Sequence, residues 1–255
     1  MENIVAQMAG FSVALVRISG MIVAAPIIAQ SLPVRYKGAI SFLLSIIIYP
    51  VVRKYIPAVS IDKPVFYAMV LLDEFMIGAL IGVVMNIIFS SAQLAGQYYS
   101  LQMGISIMQV FNPMSGDSAA IVGQLKQIFA TLIFFLIDGH HALITATTAS
   151  FINIPSVPIA MSKPIAVLIN NASRYMFYAA FQLAIPIMGT IFLVEVAIGI
   201  LAKVAPQMNI LLVGLPLKIL IGFFTLMVMT TVLFEMLGDI LGTGFGMLYS
   251  FVGLY

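Results

Sequence analysis

Apolar residues run in long blocks along this chain, and polar residues are confined to short breaks rich in proline, glycine or charge. The first block spans Ile4 to Ile28, with Arg17 in its middle, and the second spans Ala39 to Val52, between Lys37 and Arg53. A third runs from Val65 to about Ala95 and holds Asp73 and Glu74; a polar stretch, Gly96 to Asp117, follows it. Further blocks cover Ala119 to Ile137, Ala142 to Ile152, Ile165 to Ala202 with a bend expected at Pro186, and Ile210 to Leu237 with a bend expected near Pro216. A glycine-rich tail closes the chain at Tyr255. Such unbroken apolar runs predict helices that live in a membrane. The second block fits poorly as a crossing. Its roughly 15 residues reach about 22 Å at a 1.5 Å rise, against an apolar bilayer core of about 30 Å.

Composition strengthens the membrane reading. Hydrophobic residues make up 62% of the chain, charged residues 8%, and the mean hydropathy is +1.15. Soluble domains carry roughly 25% charged residues, and a water-facing surface for 255 residues cannot be assembled from so few. The net charge of +2 and the lack of a basic run argue against nucleic-acid binding. With no cysteine, disulfides and thiolate metal sites are excluded. The chain begins Met1-Glu2-Asn3, without the basic start of a cleaved secretory signal, so the first helix is expected to stay in the mature protein.

Charge placement complicates a simple bundle. Arg35 and Lys37 follow the first block, while Arg53, Lys54 and Lys63, against Asp62, follow the second. Both breaks are basic, so the bias of Lys and Arg to the cytoplasmic side gives no orientation. Hairpins packed into a larger assembly fit this pattern better than independent crossings. Arg17, Asp73, Glu74, Lys126, Asp138, Glu195, Lys218 and Glu235 lie inside or beside apolar blocks, where an unpaired charge costs a few kcal/mol. Acids and bases roughly balance, which predicts pairing between helices, in this chain or across subunits; a proton pathway is the sharper alternative. Gly78 with Gly82, Gly20 with Ala24, and Gly238, Gly242 and Gly246 have the four-residue spacing at which helix backbones approach closely in an apolar medium.

Two segments stand out as irregular. From Lys203 to Lys218 the chain reads Lys203-Val204-Ala205-Pro206-Gln207-Met208-Asn209 and then Gly214-Leu215-Pro216-Leu217-Lys218. Pro206 and Pro216 are expected to break the helix there, and broken membrane helices line cavities or subunit contacts. Within 96–117, the turn formers Asn112-Pro113 and Ser115-Gly116 predict a loop or broken helix. Its residues Ile105, Ile107, Met108, Val110, Phe111 and Met114 are too apolar for a solvated connector. Such a loop inserts into something: either its own helices, or a passage that it plugs with deformable Met and bulky Phe.

No enzymatic constellation emerges. His140 and His141 are neighbours on a helix, where adjacent side chains point apart, so no shared metal is expected. Ser115-Gly116 and Leu237-Gly238-Asp239 are too short to specify a membrane protease. Catalytic, cofactor-binding and metal residues are therefore expected to be none, and no cofactor is expected.

The motifs together resemble the FliR/SctT family of type III export-apparatus membrane proteins. The matching segments are Arg17-Ile18-Ser19-Gly20 through Ala25-Pro26, Leu32-Pro33-Val34-Arg35, Glu74 through Gly78, Ala95-Gly96-Gln97 and Gln102-Met103-Gly104. They continue with Asn112-Pro113-Met114-Ser115-Gly116, Asp138-Gly139-His140-His141, and Lys203 through Asn209 followed by Val213 through Lys218. Members often carry Asp where Asn112 stands and Gly where Asp138 stands. The resemblance implies an all-α membrane protein of long, kinked helical hairpins, a single domain over residues 1–255, forming one wall of a helical gate. FliP-like and FliQ-like membrane proteins would be its partners in a hetero-oligomer at the flagellar basal body of the bacterial inner membrane, with unfolded export substrates passing through. It further implies that Ile105 to Met114 plug the pore, and that Arg17, Glu74, Glu195, Lys203 and Lys218 serve contacts within and between subunits. The injectisome counterpart and a small-solute secondary transporter are the alternatives; the latter rests on the broken helices and embedded charges.

Overall fold

The computed structural model describes residues 2–26, 33–56, 63–105, 128, 131–154, 162–207 and 210–253. They form an all-α protein, with no strand among the described residues. The long helices are α1 (Glu2–Ala24), α2 (Val34–Val52), α3 (Pro64–Gln102), α4 (Gly139–Asn153), α5 (Ser162–Val204) and α6 (Ile210–Val252). Five of the six (α4 is the exception) are long and apolar enough to cross a membrane.

Proline sets several boundaries. Pro26 disfavours helical backbone in the residue before it, and α1 ends at Ala24. Pro33 sits ahead of α2, its carbonyl accepting from the Tyr36 and Lys37 amides at 3.0 and 3.3 Å. Pro64 opens α3, a position whose N–H is unused by the helix. The chain leaves α5 at Val204 and turns at Pro206-Gln207.

Two expectations change, at Pro216 and at Gly96. The helix continues through Pro216, which lies in its second turn, so the break expected there does not occur. One proline removes one backbone bond and costs about 3 kcal/mol, which a 43-residue apolar helix absorbs. The glycine-rich tail is helical to Val252, because Leu241, Leu248 and Val252 are fully buried and hold it in place. The polar stretch from Gly96 continues α3 as far as Gln102. There Ser100 Oγ donates back to the Gly96 carbonyl at 2.7 Å, and Ala95 and Tyr99 are buried. Polar atoms satisfied on the helix itself do not end it.

Length is the notable property. At a 1.5 Å rise, the 19 residues of α2 span about 28 Å, a single crossing, and include Arg35 and Lys37. The 39 residues of α3 span about 58 Å, and the 43 of α5 and of α6 about 64 Å each, near twice the apolar thickness of a bilayer.

By internal packing the chain divides into two compact units. Residues 1–88, 138–174 and 241–255 make the first, and residues 89–137 and 175–240 the second. In the first, Val13, Ile18, Met21, Ile81, Met85 and Leu248 are nearly or wholly excluded from solvent. Aromatic edges join α1 to α2, Phe11 meeting Phe42 and Tyr49 at ring distances of 5.8 and 5.6 Å, and the Tyr49 hydroxyl donates to the Gln7 carbonyl at 3.0 Å. In the second unit, Met103, Ala180, Ala184, Ile187 and Ile191 are wholly buried.

Candidate functional site

The first unit buries an ion pair completely. Arg17 comes from the middle of α1 and Glu74 from α3, each 1% exposed, with Nε 2.5 Å from Oε2. The rest of the guanidinium is also engaged. Nη1 donates to Ser150 Oγ at 3.1 Å, Nη2 donates to the Ile154 carbonyl at 3.2 Å, and the group lies 4.2 Å from the centre of the Phe151 ring. Helix crossing makes this possible. A Cβ on Gly78 would collide with the Arg17 carbonyl, and one on Gly20 with the Phe75 carbonyl. A Cβ on Gly82 would lie 2.7 Å from the Ala24 Cβ and from the Met21 carbonyl. The small residues thus bring α1 and α3 into backbone contact one turn from the charges, as the four-residue spacings predict, and Asn86 Nδ2 adds a bond to the Ala24 carbonyl at 3.3 Å.

The second unit holds a different pair. Lys218 on α6 bonds to Glu195 on α5, with side chains 23% and 36% exposed. Gln102, the last residue of α3, donates to the other Glu195 oxygen at 3.3 Å. Directly after it the chain turns at Met103-Gly104, where Gly104 takes φ 79°, a left-handed conformation that suits glycine. Met103 is fully buried against Gly222, one turn beyond Lys218, and leaves no room for a Cβ there. Ile105, 7% exposed, follows. Through Gln102, the Glu195–Lys218 pair thus reaches the residue just ahead of the apolar segment for which the family resemblance implies a plug. The other residues expected to form a plug, Ile107, Met108, Val110, Phe111, Asn112, Pro113 and Met114, lie outside the described residues, as does Lys126.

Other marked residues sit apart. Lys203 is exposed on the last turn of α5 and Pro206 in the turn after it; Asp73 is half-buried, and Glu235 is exposed on α6. Gly238, Gly242 and Gly246 have no described atom within 4 Å of a would-be Cβ, so the packing expected of them is not made within the described chain. Asp138, His140 and His141 converge: their potential ligand atoms all lie within 4.8 Å of one another, and the imidazole centres are 4.3 Å apart. The premise that adjacent helical side chains diverge does not hold at this first turn, which is preceded by a left-handed Asp138. Sequence reasoning missed Ser150, Phe151 and the Ile154 carbonyl as partners of Arg17; their separations of over 130 residues leave no local signal. It also missed Gln102 as a partner of Glu195 and Gly222 as the seat of Met103.

The sequence profile of the bacterial export proteins, family 1, matches residues 8–244. Among curated proteins, the flagellar biosynthetic protein FliR of Bacillus subtilis is 30% identical over 244 residues, covering 94% of this chain and 93% of its own. The FliR proteins of Buchnera aphidicola (subspecies Baizongia pistaciae) and Escherichia coli are 31% and 27% identical, over 73% and 82% of this chain and 73% and 79% of theirs. With five apolar helices in a bilayer-compatible format and a match across nearly its whole length, this chain belongs to family 1 of the bacterial export proteins, the family of the FliR-type flagellar proteins.

Proposed function

We propose that this chain is a structural and gating subunit of the flagellar type III export gate, completed by FliP-like and FliQ-like membrane proteins around a conduit for unfolded flagellar subunits. Its place is the bacterial inner membrane at the flagellar basal body, and it performs no catalysis. The observation that carries this reading is the length of α3, α5 and α6 combined with the apolar character of their exposed sides. On α5, Phe181, Ile185, Leu193 and Ile200 are exposed, and on α6 Leu220, Phe224, Met227 and Val228. Side chains along helices near twice the bilayer thickness cannot all be covered by lipid tails, and contiguous exposed apolar surface marks a site of protein contact. Neighbouring subunits cover the remainder. The open glycine face of α6 and the half-exposed Glu195–Lys218 pair, with Lys203, belong to those contacts. Arg17 and Glu74 serve within the chain.

In this reading, residues 105–114 close the conduit at rest, anchored by Met103 and by the Gln102–Glu195–Lys218 cluster. Purification of the native complex through an affinity tag on this chain tests the assembly. A stable particle containing two further small membrane proteins of the FliP and FliQ types supports it, whereas a monomer that binds and moves a small solute supports a secondary transporter. Removal of Ile107 to Ser115 tests the plug: the expected strain assembles the complex but leaks ions or small solutes, and an unchanged leak overturns the plug.

A further inference from the structure

The turn into α4 assembles a donor set that the export reading does not use. Asp138 precedes α4 at the position where an aspartate ordinarily accepts a hydrogen bond from the first-turn amides. Here it makes no such side-chain bond. Its backbone is left-handed, φ 56° and ψ 32°, the one positive-φ residue other than glycine among those described. Aspartate is one of the few residues besides glycine that visit this conformation as single residues, and here its carboxylate lies beside the imidazoles. Oδ1 lies 3.4 Å from His141 Nδ1, and both side chains are more than 70% exposed. His140 stands beside them, its ring centre 4.3 Å from that of His141 and the planes inclined by 34°. One donor atom from each of the three residues lies within 4.8 Å of the other two.

From this geometry we propose that Asp138, His140 and His141 form a binding site for a divalent late transition metal, with zinc as the representative ion. Two imidazole nitrogens and one carboxylate oxygen suit zinc, nickel or copper and do not suit the hard, oxygen-seeking magnesium or calcium. Zinc holds nitrogen and oxygen ligands at about 2.0–2.2 Å, so neighbouring ligands of a tetrahedron stand about 3.4 Å apart, the separation already present between Asp138 and His141. Closing the third donor from within 4.8 Å to that distance requires side-chain rotation at the exposed Asp138 and His141. Three protein ligands leave the fourth position open to water or to a group from another protein. A plain hydrogen bond between His141 and Asp138 explains their contact without a metal, whereas metal binding requires His140 as well, so substitution of His140 discriminates the two. The inference does not depend on the export reading.

Zinc uptake by the full-length chain, purified in detergent with a tag free of histidine, tests it by equilibrium dialysis and elemental analysis. The expected result is one zinc per chain, retained in excess magnesium, with Asp138→Ala, His140→Ala and His141→Ala each lowering affinity about tenfold or more, since even outer-shell changes cost ten- to hundredfold. Copper titration followed by electron paramagnetic resonance should show coupling to two nitrogens, falling to one in His141→Ala. Asp138 and His141 are surface residues, so those variants fold even where His140→Ala disturbs α4. Absence of zinc uptake by the unaltered chain, or uptake indifferent to His140→Ala in a normally helical variant, overturns the site.

Discussion

Arg17–Glu74 and Glu195–Lys218 are both arginine- or lysine-to-glutamate bridges between apolar helices, yet they are built to different standards. The first is sealed: each side chain is 1% exposed, the guanidinium has three hydrogen-bond partners and an aromatic face, and glycine contacts draw its helices together. The second is left half open, with 23% and 36% exposure and one glutamine in support. A buried charge is tolerable only when every polar atom around it is satisfied. The sealed pair meets that condition inside one chain. The open pair meets it incompletely, and under the function proposed above the remaining coverage would come from another subunit.

The largest test of the contrast is Arg17→Ala. It removes the cation from beside Glu74, itself only 1% exposed, and breaking a buried pair costs about 3–5 kcal/mol. Expected is loss of the chain from the membrane fraction, or a much lower unfolding temperature in detergent. A stable, normally accumulating variant would show that the pair is not what holds α1 to α3. Next is Gly78→Val. The new side chain meets the Arg17 backbone rather than a flexible tip, so α1 and α3 must separate, and overpacking of this kind costs about 1–3 kcal/mol. Thermal unfolding of the detergent-solubilised chain checks it.

Lys218→Glu probes the open pair. Interhelical polar contacts in membranes contribute about 0.6–2 kcal/mol, so the isolated chain should fold while complex formation with partner subunits fails. The charge-swapped double variant, Glu195→Lys with Lys218→Glu, should recover part of the assembly, measured by copurification. Normal assembly of the single variant assigns the lysine another role.

How far the sequence discloses these sites depends on the separation of the residues involved. That Arg17 needs a partner is visible from one charge in an apolar block, because the penalty is local. That the partner is Glu74 rather than adjacent Asp73 is not, since helical phase decides which of two neighbouring carboxylates faces α1. The glycine pairs at Gly20, Ala24, Gly78 and Gly82 were readable because close helix approach demands small residues at fixed spacing. Proline was a poorer guide: Pro206 lies in a turn, whereas α6 passes through Pro216, since one lost backbone bond is small beside the burial of a long apolar helix. In the tail from Gly238, glycine disfavours an isolated helix. Leu241, Leu248 and Val252 reverse that locally weak preference by burial, and Asn153 caps the end, donating to the Val252 and Gly253 carbonyls at 2.9 and 3.1 Å.

The smallest effect is the most discriminating, because its sign differs between two glycines of similar sequence setting. Gly78 and Gly242 each occupy a small-residue motif on a long apolar helix, but the first meets backbone and the second meets no described atom within 4 Å. Gly242→Ala should therefore leave the isolated chain unchanged or stabilise it by about 0.5–1 kcal/mol, through reduced backbone freedom in the unfolded state. The same methyl group on a face that receives another subunit's helix would hold the two backbones apart, so copurification of the complex should weaken while the unfolding temperature of the chain alone holds or rises. If the variant loses stability on its own, α6 is packed on that face inside the monomer. If neither quantity moves, the open glycines are ordinary lipid-facing residues and the partner surface must be sought on α5, where Phe181, Ile185 and Leu193 stand exposed.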